Sequence, residues 1–205
     1  MKRFHTGEAI RYGWNTVKAN LWLFVGLALV YLVLTNLDGS DPRHGHMVIR
    51  ALSWLLGALM MMGIIRIVLK FVDGGKAPFK ELWVSFDRFW SYLGASVLYT
   101  LIVIGGLCLL IVPGIMWAIR FGYYGYFVID GKSGVMDALR RSAALTNGAK
   151  MDLFVFALAM LGINLLGAIC LGVGVLVTIP LTWLAFGYVY RRLQATAAPT
   201  IPAAS

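Results

Sequence analysis

Apolar residues in this chain gather in six long runs, at about 20–37, 48–71, 91–111, 114–129, 152–172 and 175–190. Nearly all the Lys and Arg fall in alternate gaps between them. Within each run the apolar positions are continuous and do not alternate with period two, which excludes a membrane β-barrel and predicts helices. A bilayer core of about 30 Å takes about 20 helical residues at ~1.5 Å each. The fourth and sixth runs are short by that measure and require inward-drawn ends or a locally thinned bilayer. The pattern therefore predicts an all-α, polytopic membrane protein with six transmembrane helices arranged as three hairpins.

The polar gaps set the orientation. Lys2, Arg3, Arg11 and Lys18 precede the first run. Lys70, Lys76, Lys80 and Arg88 separate the second from the third. Lys132, Arg140, Arg141 and Lys150 separate the fourth from the fifth, and Arg191 and Arg192 follow the sixth. The opposite gaps hold Arg43 and Arg50 beside Asp38 and Asp41, then no charge at 112–113 or 173–174. The positive-inside rule then makes both termini cytoplasmic, which an even number of spans also requires. The expected location is the bacterial cytoplasmic (inner) membrane. Met1-Lys2-Arg3 is basic but lacks the short apolar stretch and small-residue cleavage site of a signal peptide, so the first run is read as a retained helix.

Each cytoplasmic gap carries an amphipathic pattern, and each is read as a helix lying in the interface. Residues 7–19 set Ile10, Trp14 and Val17 against Arg11, Asn15 and Lys18, with Thr6 as the expected N-cap. Residues 81–93 set Leu82, Trp83, Phe86, Phe89, Trp90 and Leu93 against Glu81, Ser85, Asp87 and Arg88. Residues 134–147 set Val135, Met136, Leu139 and Ala143 against Arg140 and Arg141, with Asn147-Gly148 as the stop. Each helix has an early acid (Glu8, Glu81, Asp137) and leads into a hairpin. The first two hairpins end alike, in Phe71-Val72-Asp73-Gly74-Gly75-Lys76 and Phe127-Val128-Ile129-Asp130-Gly131-Lys132. We read three copies of one unit, about 6–72, 78–130 and 134–192, within a single domain over 1–192, followed by a disordered cytoplasmic tail over 193–205. Parallel repeats of this kind imply a pseudo-symmetry axis along the membrane normal.

Composition fits this reading. Hydrophobic residues make up 60% of the 205 and charged residues only 13%, against about 25% charged in soluble domains. The net charge of +9 belongs to cytoplasmic loops and anionic headgroups rather than to nucleic acid, since no basic stretch carries a nucleic-acid motif. Cys108 and Cys170 lie inside apolar runs without a neighbouring His or Cys, as buried thiols or a distant pair. His44 and His46 near Asp41 read as a solvated outer loop, and Met60-Met61-Met62 as packing. No metal, cofactor or nucleophile arrangement is expected, and the chain is not expected to be an enzyme.

Arg120 is the sharpest candidate residue, because a charge inside an apolar run is costly and marks a site or a structural lock. It is either a snorkelling or carbonyl-capping side chain or a contact for an anion or lipid headgroup. Trp117 and Tyr124 would share its face, while Gly114, Ala118 and Gly122 form a small-residue stripe for close packing. Arg66 is placed to snorkel toward the inner interface near Lys70 and Asp73, and Asn164 to bond between helices. Pro113 is expected at the first position of the fourth helix, and Pro180 to kink the sixth.

The stretch Val112-Pro113-Gly114-Ile115-Met116-Trp117-Ala118-Ile119-Arg120-Phe121 resembles a bacterial integral-membrane family that includes the membrane domain of glycerophosphoryl diester phosphodiesterases. Further resemblance lies in Ala138-Leu139-Arg140-Arg141-Ser142, Leu145-Thr146-Asn147-Gly148 and the opening Gly7-Glu8-Ala9-Ile10-Arg11-Tyr12-Gly13-Trp14. In the fused members a catalytic domain follows the membrane part; the resemblance here covers the membrane module, and so implies no phosphodiesterase activity. The expected function is a non-enzymatic membrane module contacting anionic lipids or a partner protein, with Arg120, Arg66 and Asn164 as candidate headgroup contacts. The alternative is a small-molecule or lipid transporter or channel with an anion-contacting Arg in the bundle.

Overall fold

The computed structural model describes residues 4–35, 47–75, 88–131, 133–169 and 174–197, and among them every regular element is a helix. In chain order these are α1 (Thr6–Ala19), α2 (Leu21–Thr35), α3 (Met47–Val72), α4 (Phe89–Leu109), α5 (Ile111–Phe121), α6 (Tyr124–Asp130), α7 (Val135–Thr146), α8 (Lys150–Ile169) and α9 (Val175–Ala197). Residues 81–87 of the interfacial helix expected over 81–93 lie outside the described residues. So do the outer loop with Asp41, His44 and His46, Cys170, and the last residues of the tail.

Among the described residues, three helical segments are long and apolar enough to cross a membrane: Leu52–Val72, Phe89–Leu109 and Lys150–Ile169. Only 17% of the Phe89–Leu109 window and 22% of the Lys150–Ile169 window is buried inside the protein. Leu101, Leu109, Leu158, Leu161 and Ile169 point outward. So large an apolar surface requires an apolar surrounding or a partner. α1 and α2 meet at 99°, a corner made by Asn20 alone. Its N–H donates to the carbonyls of Thr16 and Val17, its side-chain amide donates to Thr16 O at 3.3 Å, and its carbonyl accepts from Phe24 N–H. One residue thus closes α1 and opens α2.

The core forms around α9, which packs against α1, α2, α3, α7 and α8. Small residues set the closest crossings. A Cβ on Gly13 of α1 would lie 2.8 Å from Leu181 O of α9, and one on Gly187 of α9 would collide with Val68 of α3. This is why the buried face of α1 is Ala9, Gly13 and Val17 rather than the expected Ile10, Trp14 and Val17. A backbone-close crossing excludes an indole, and Trp14 turns outward. The N-cap of α1 is also His5, in extended conformation and without a side-chain cap bond, not Thr6.

Three further expectations change. The fourth apolar run is two helices, α5 and α6, broken at Gly122-Tyr123, for reasons given below. Pro113 sits at the third position of α5, where its missing N–H still costs no intrahelical bond. The tail expected to be disordered from 193 is helical through Ala197, because Leu193 and Ala197 continue the buried stripe of Val189 at four-residue spacing. The Asn147-Gly148 stop forms as expected, with Gly148 at φ 82°.

Candidate functional site

The two sequence-related helix ends, Val72-Asp73-Gly74 and Ile129-Asp130-Gly131, meet at one end of the bundle. What joins them is Arg191, in the C-terminal part of α9. Arg191 Nε and Nη2 donate to Asp73 Oδ1 and Oδ2 at 2.8 and 2.6 Å. Its Nη1 and Nη2 donate to Asp130 Oδ2 and Oδ1 at 2.6 and 3.0 Å, and Nη1 also donates to Gln194 Oε1 at 3.0 Å. All five guanidinium N–H donors are used, the fork-shaped recognition that Lys cannot provide. Tyr190 Oη donates to Asp130 Oδ2 at 3.2 Å and accepts from Gln194 Nε2 at 2.8 Å. Desolvation works against the Arg191 charge, but the hydrogen bonds and charges of Asp73 and Asp130 outweigh it and raise its pKa further above the ordinary value.

Neighbouring residues extend this clasp. Arg141 Nε pairs with Asp137 Oδ2 at 3.2 Å, one turn along α7. Its Nη1 would lie 3.3 Å from a Cβ placed on Gly131. Tyr12 donates to Phe71 O at 2.8 Å and stacks on Tyr188 at 5.0 Å between centroids. Tyr188 Oη accepts from Arg192 Nε at 2.9 Å and reaches Glu8 at 3.5 Å. Two of the three early acids, Glu8 and Asp137, therefore border the clasp. Nothing in the sequence points to Arg191 as the third member, because there a base stands where the first two units have an acid.

At the break in the fourth run, the freed backbone groups are taken up by α7. Ser142 Oγ donates to Arg120 O at 3.0 Å and accepts from Tyr123 N–H at 3.1 Å; Thr146 Oγ1 donates to Arg120 O at 3.1 Å. Ser142 and Thr146 are fully buried. The inward face of α7 is accordingly Ala138, Leu139, Ser142, Leu145 and Thr146, while Met136, expected on the apolar face, is exposed. A hydroxyl pair four residues apart is what a helix interruption needs in an apolar surrounding.

The three candidate contacts are not brought together. Arg120 is exposed, its guanidinium 5.5 Å from the Phe121 ring centroid, and no acidic partner is found for it among the described residues. The interruption also removes Tyr124 from the helical face of Arg120. A cavity of about 540 Å³ lies against Ile115, Ala118 and Ile119 of α5 and Gly122 at the break, bounded by Tyr99 and α8, and Arg120 is not in its wall. Arg66 is half-buried on α3, one turn before Lys70. Asn164 Nδ2 donates to Met160 O at 2.9 Å and, across to α9, to Thr182 Oγ1 at 2.8 Å. It bonds between helices as its position suggests. Gly114 packs on α4, where its Cβ would lie 2.6 Å from Leu107.

Among the described residues no cluster of His, Cys, Asp or Glu is arranged to hold a metal ion. Comparison with protein-family models, curated proteins and solved structures finds no match to this chain.

Proposed function

We propose that this chain is a non-enzymatic module of a bacterial inner membrane, crossing it six times as three hairpins with both termini in the cytoplasm. It holds anionic lipid headgroups at its cytoplasmic rim. The observation that carries the reading is α1, turned 99° from α2 at the end of the bundle where the clasp lies. Arg11, Trp14 and Lys18 are on its outer side, the Lys18 amine 5.6 Å from the Trp14 ring. Exposed indoles stand at the starts of α2 and α4: Trp22 is 89% and Trp90 78% accessible. Amphipathic rings beside fixed positive charge suit the headgroup layer, where each basic residue contributes about 1 kcal/mol toward anionic lipid.

Two further observations support the hairpin arrangement: the ends of α3 and α6 converge on the Arg191 guanidinium of α9, and Tyr12 of α1 stacks on Tyr188 of α9. The resemblance of the stretch Val112–Phe121 to the membrane domain of glycerophosphoryl diester phosphodiesterases agrees with a membrane module. The alternative, a transporter built on an anion-binding arginine inside the bundle, loses support from the outward Arg120.

The test is native mass spectrometry of the full chain released from nanodiscs of mixed phosphatidylcholine and phosphatidylglycerol. Preferential retention of phosphatidylglycerol, reduced in an Arg11→Ser/Lys18→Ser variant, is expected. Equal retention of both lipids refutes the headgroup reading, and a C-terminal reporter active in the periplasm refutes the topology.

A further inference from the structure

The cavity beside α5 owes its depth to small residues. Ala118 of α5, Gly122 at the break and Ala157 of α8 line it, and they leave about 540 Å³ between helices that otherwise carry Leu, Ile and Phe. Along α8 its wall runs from Leu153 to Leu161, ~12 Å of helix at ~1.5 Å per residue. That is a little less than half of a ~30 Å bilayer core. Ile115, Phe154, Leu158 and Leu161 in this wall are exposed. The crevice thus opens sideways, along the largely unburied span-length helix Lys150–Ile169.

A cation stands over one end of it. Phe156 meets Phe186 at 4.9 Å between ring centroids and Asn164 reaches Thr182, so α8 runs antiparallel to α9. Lys150, at the start of α8, accordingly lies toward the clasp. It is exposed, and it shares a helical face with Phe154, Ala157, Leu158 and Leu161. Asp152 is about 200° around the helix from it. A polar group is also built into the wall. Tyr123 is 3% accessible, and its hydroxyl is buried without a hydrogen-bond partner among the described residues. The phenols beside it are used: Tyr99 donates to Ala118 O at 3.3 Å and Tyr126 to Trp183 O at 3.5 Å. Tyr123 precedes Asp130 of the clasp by seven residues, ~10 Å of helix.

We infer that this crevice holds one acyl chain of a diacyl phospholipid from the leaflet on the clasp side. An ester carbonyl of that lipid accepts from Tyr123 Oη, and its phosphate lies at Lys150. The inference rests on the membrane reading above but not on α1 or its basic residues. Apolar walls open to the bilayer suit a hydrocarbon chain. A hydroxyl enclosed in apolar surroundings requires an acceptor, and an exposed Lys at the level of the headgroups attracts an anion. An alkane meets only the first of these demands, and inorganic phosphate only the last.

The test uses the full chain in phosphatidylcholine nanodiscs with a trace of phosphatidylglycerol carrying a diazirine in one acyl chain, and adducts mapped by peptide mass spectrometry. Adducts at Ala118 and Ala157 are expected to fall several-fold when part of the host lipid is replaced by unlabelled phosphatidylglycerol. Those on the outward Leu165 and Ile169 should not change, because the probe is diluted equally. Tyr123→Phe should lower crevice labelling several-fold without lowering resistance to unfolding, and Lys150→Ser should remove the displacement by phosphatidylglycerol. Absence of adducts at Ala118 and Ala157, or crevice labelling that neither unlabelled lipid nor Tyr123→Phe reduces, overturns the inference. Equal displacement by palmitic acid overturns the phospholipid as its source. The Arg11→Ser/Lys18→Ser variant should keep its crevice adducts, so failure at the rim and failure here are told apart.

Discussion

Replacing Arg191 by Leu removes all five of its hydrogen bonds at once and leaves two carboxylates, both formerly bonded to the same Nη2, without their shared cation. The cost is bounded by burial. Exposed ion pairs contribute about 0.2–1 kcal/mol, whereas removing one partner of a buried pair costs about 3–5 kcal/mol. The side chains of Arg191 and Asp130 are 27% and 25% accessible, which places Arg191→Leu at about 2–4 kcal/mol. The two acids are not equivalent. Asp130 also accepts from Tyr190, whereas Asp73 is 49% accessible. Asp130→Asn is therefore expected to cost about 1.5–3 kcal/mol, the range of hydrogen bonds to charged groups, and Asp73→Asn about 0.5–1 kcal/mol. Because Arg191 and Asp130 face each other directly, exchanging charges in Arg191→Asp/Asp130→Arg should recover part of the loss. The assay is equilibrium unfolding in mixed micelles against rising dodecyl sulfate, followed by tryptophan fluorescence. An Arg191→Leu cost under about 0.5 kcal/mol, the level of an ordinary surface substitution, refutes the reasoning, as does a larger cost for Asp73→Asn than for Asp130→Asn.

Ser142→Ala strands the Tyr123 N–H and Thr146→Val removes a donor to Arg120 O; each is expected to cost about 1–3 kcal/mol in the same unfolding assay, with Thr146→Ser close to wild type. Gly187→Val places a side chain where Val68 already sits and should destabilise by about 1–3 kcal/mol or more, as overpacking does, whereas Gly7→Ala, with open space around it, should stay within about 0.5 kcal/mol. Burial raises the Tyr12 pKa above its ordinary value of 10.0, so the folded state favours the protonated phenol; that contribution is complete below pH 10 and lost as pH rises through the raised pKa. Tyr12→Phe should flatten the alkaline limb of a stability–pH curve, and an unchanged slope counts against the assignment.

The helical class, the apolar runs and the related helix ends at Asp73 and Asp130 are legible in the sequence because they rest on local quantities: hydropathy over a turn or two, and spacing along one chain. The candidate site was legible only in part. Asn164 bonds between helices as its position implies, yet Arg120 faces outward, and the faces of α1 and α7 differ from those drawn by apolar periodicity. In α1 a glycine against the Leu181 carbonyl outweighs the indole of Trp14. In α7 two hydroxyls turn inward because a helix interruption in another segment needs donors there. Arg191 gives no local signal at all, since only the meeting of α9 with the ends of α3 and α6 turns it from one of several basic residues into the cation that two carboxylates share. Hydropathy and spacing along the chain thus determined which segments are helical. Tertiary structure decided which faces are buried and which charges pair, because backbone satisfaction and close packing depend on neighbours distant in sequence.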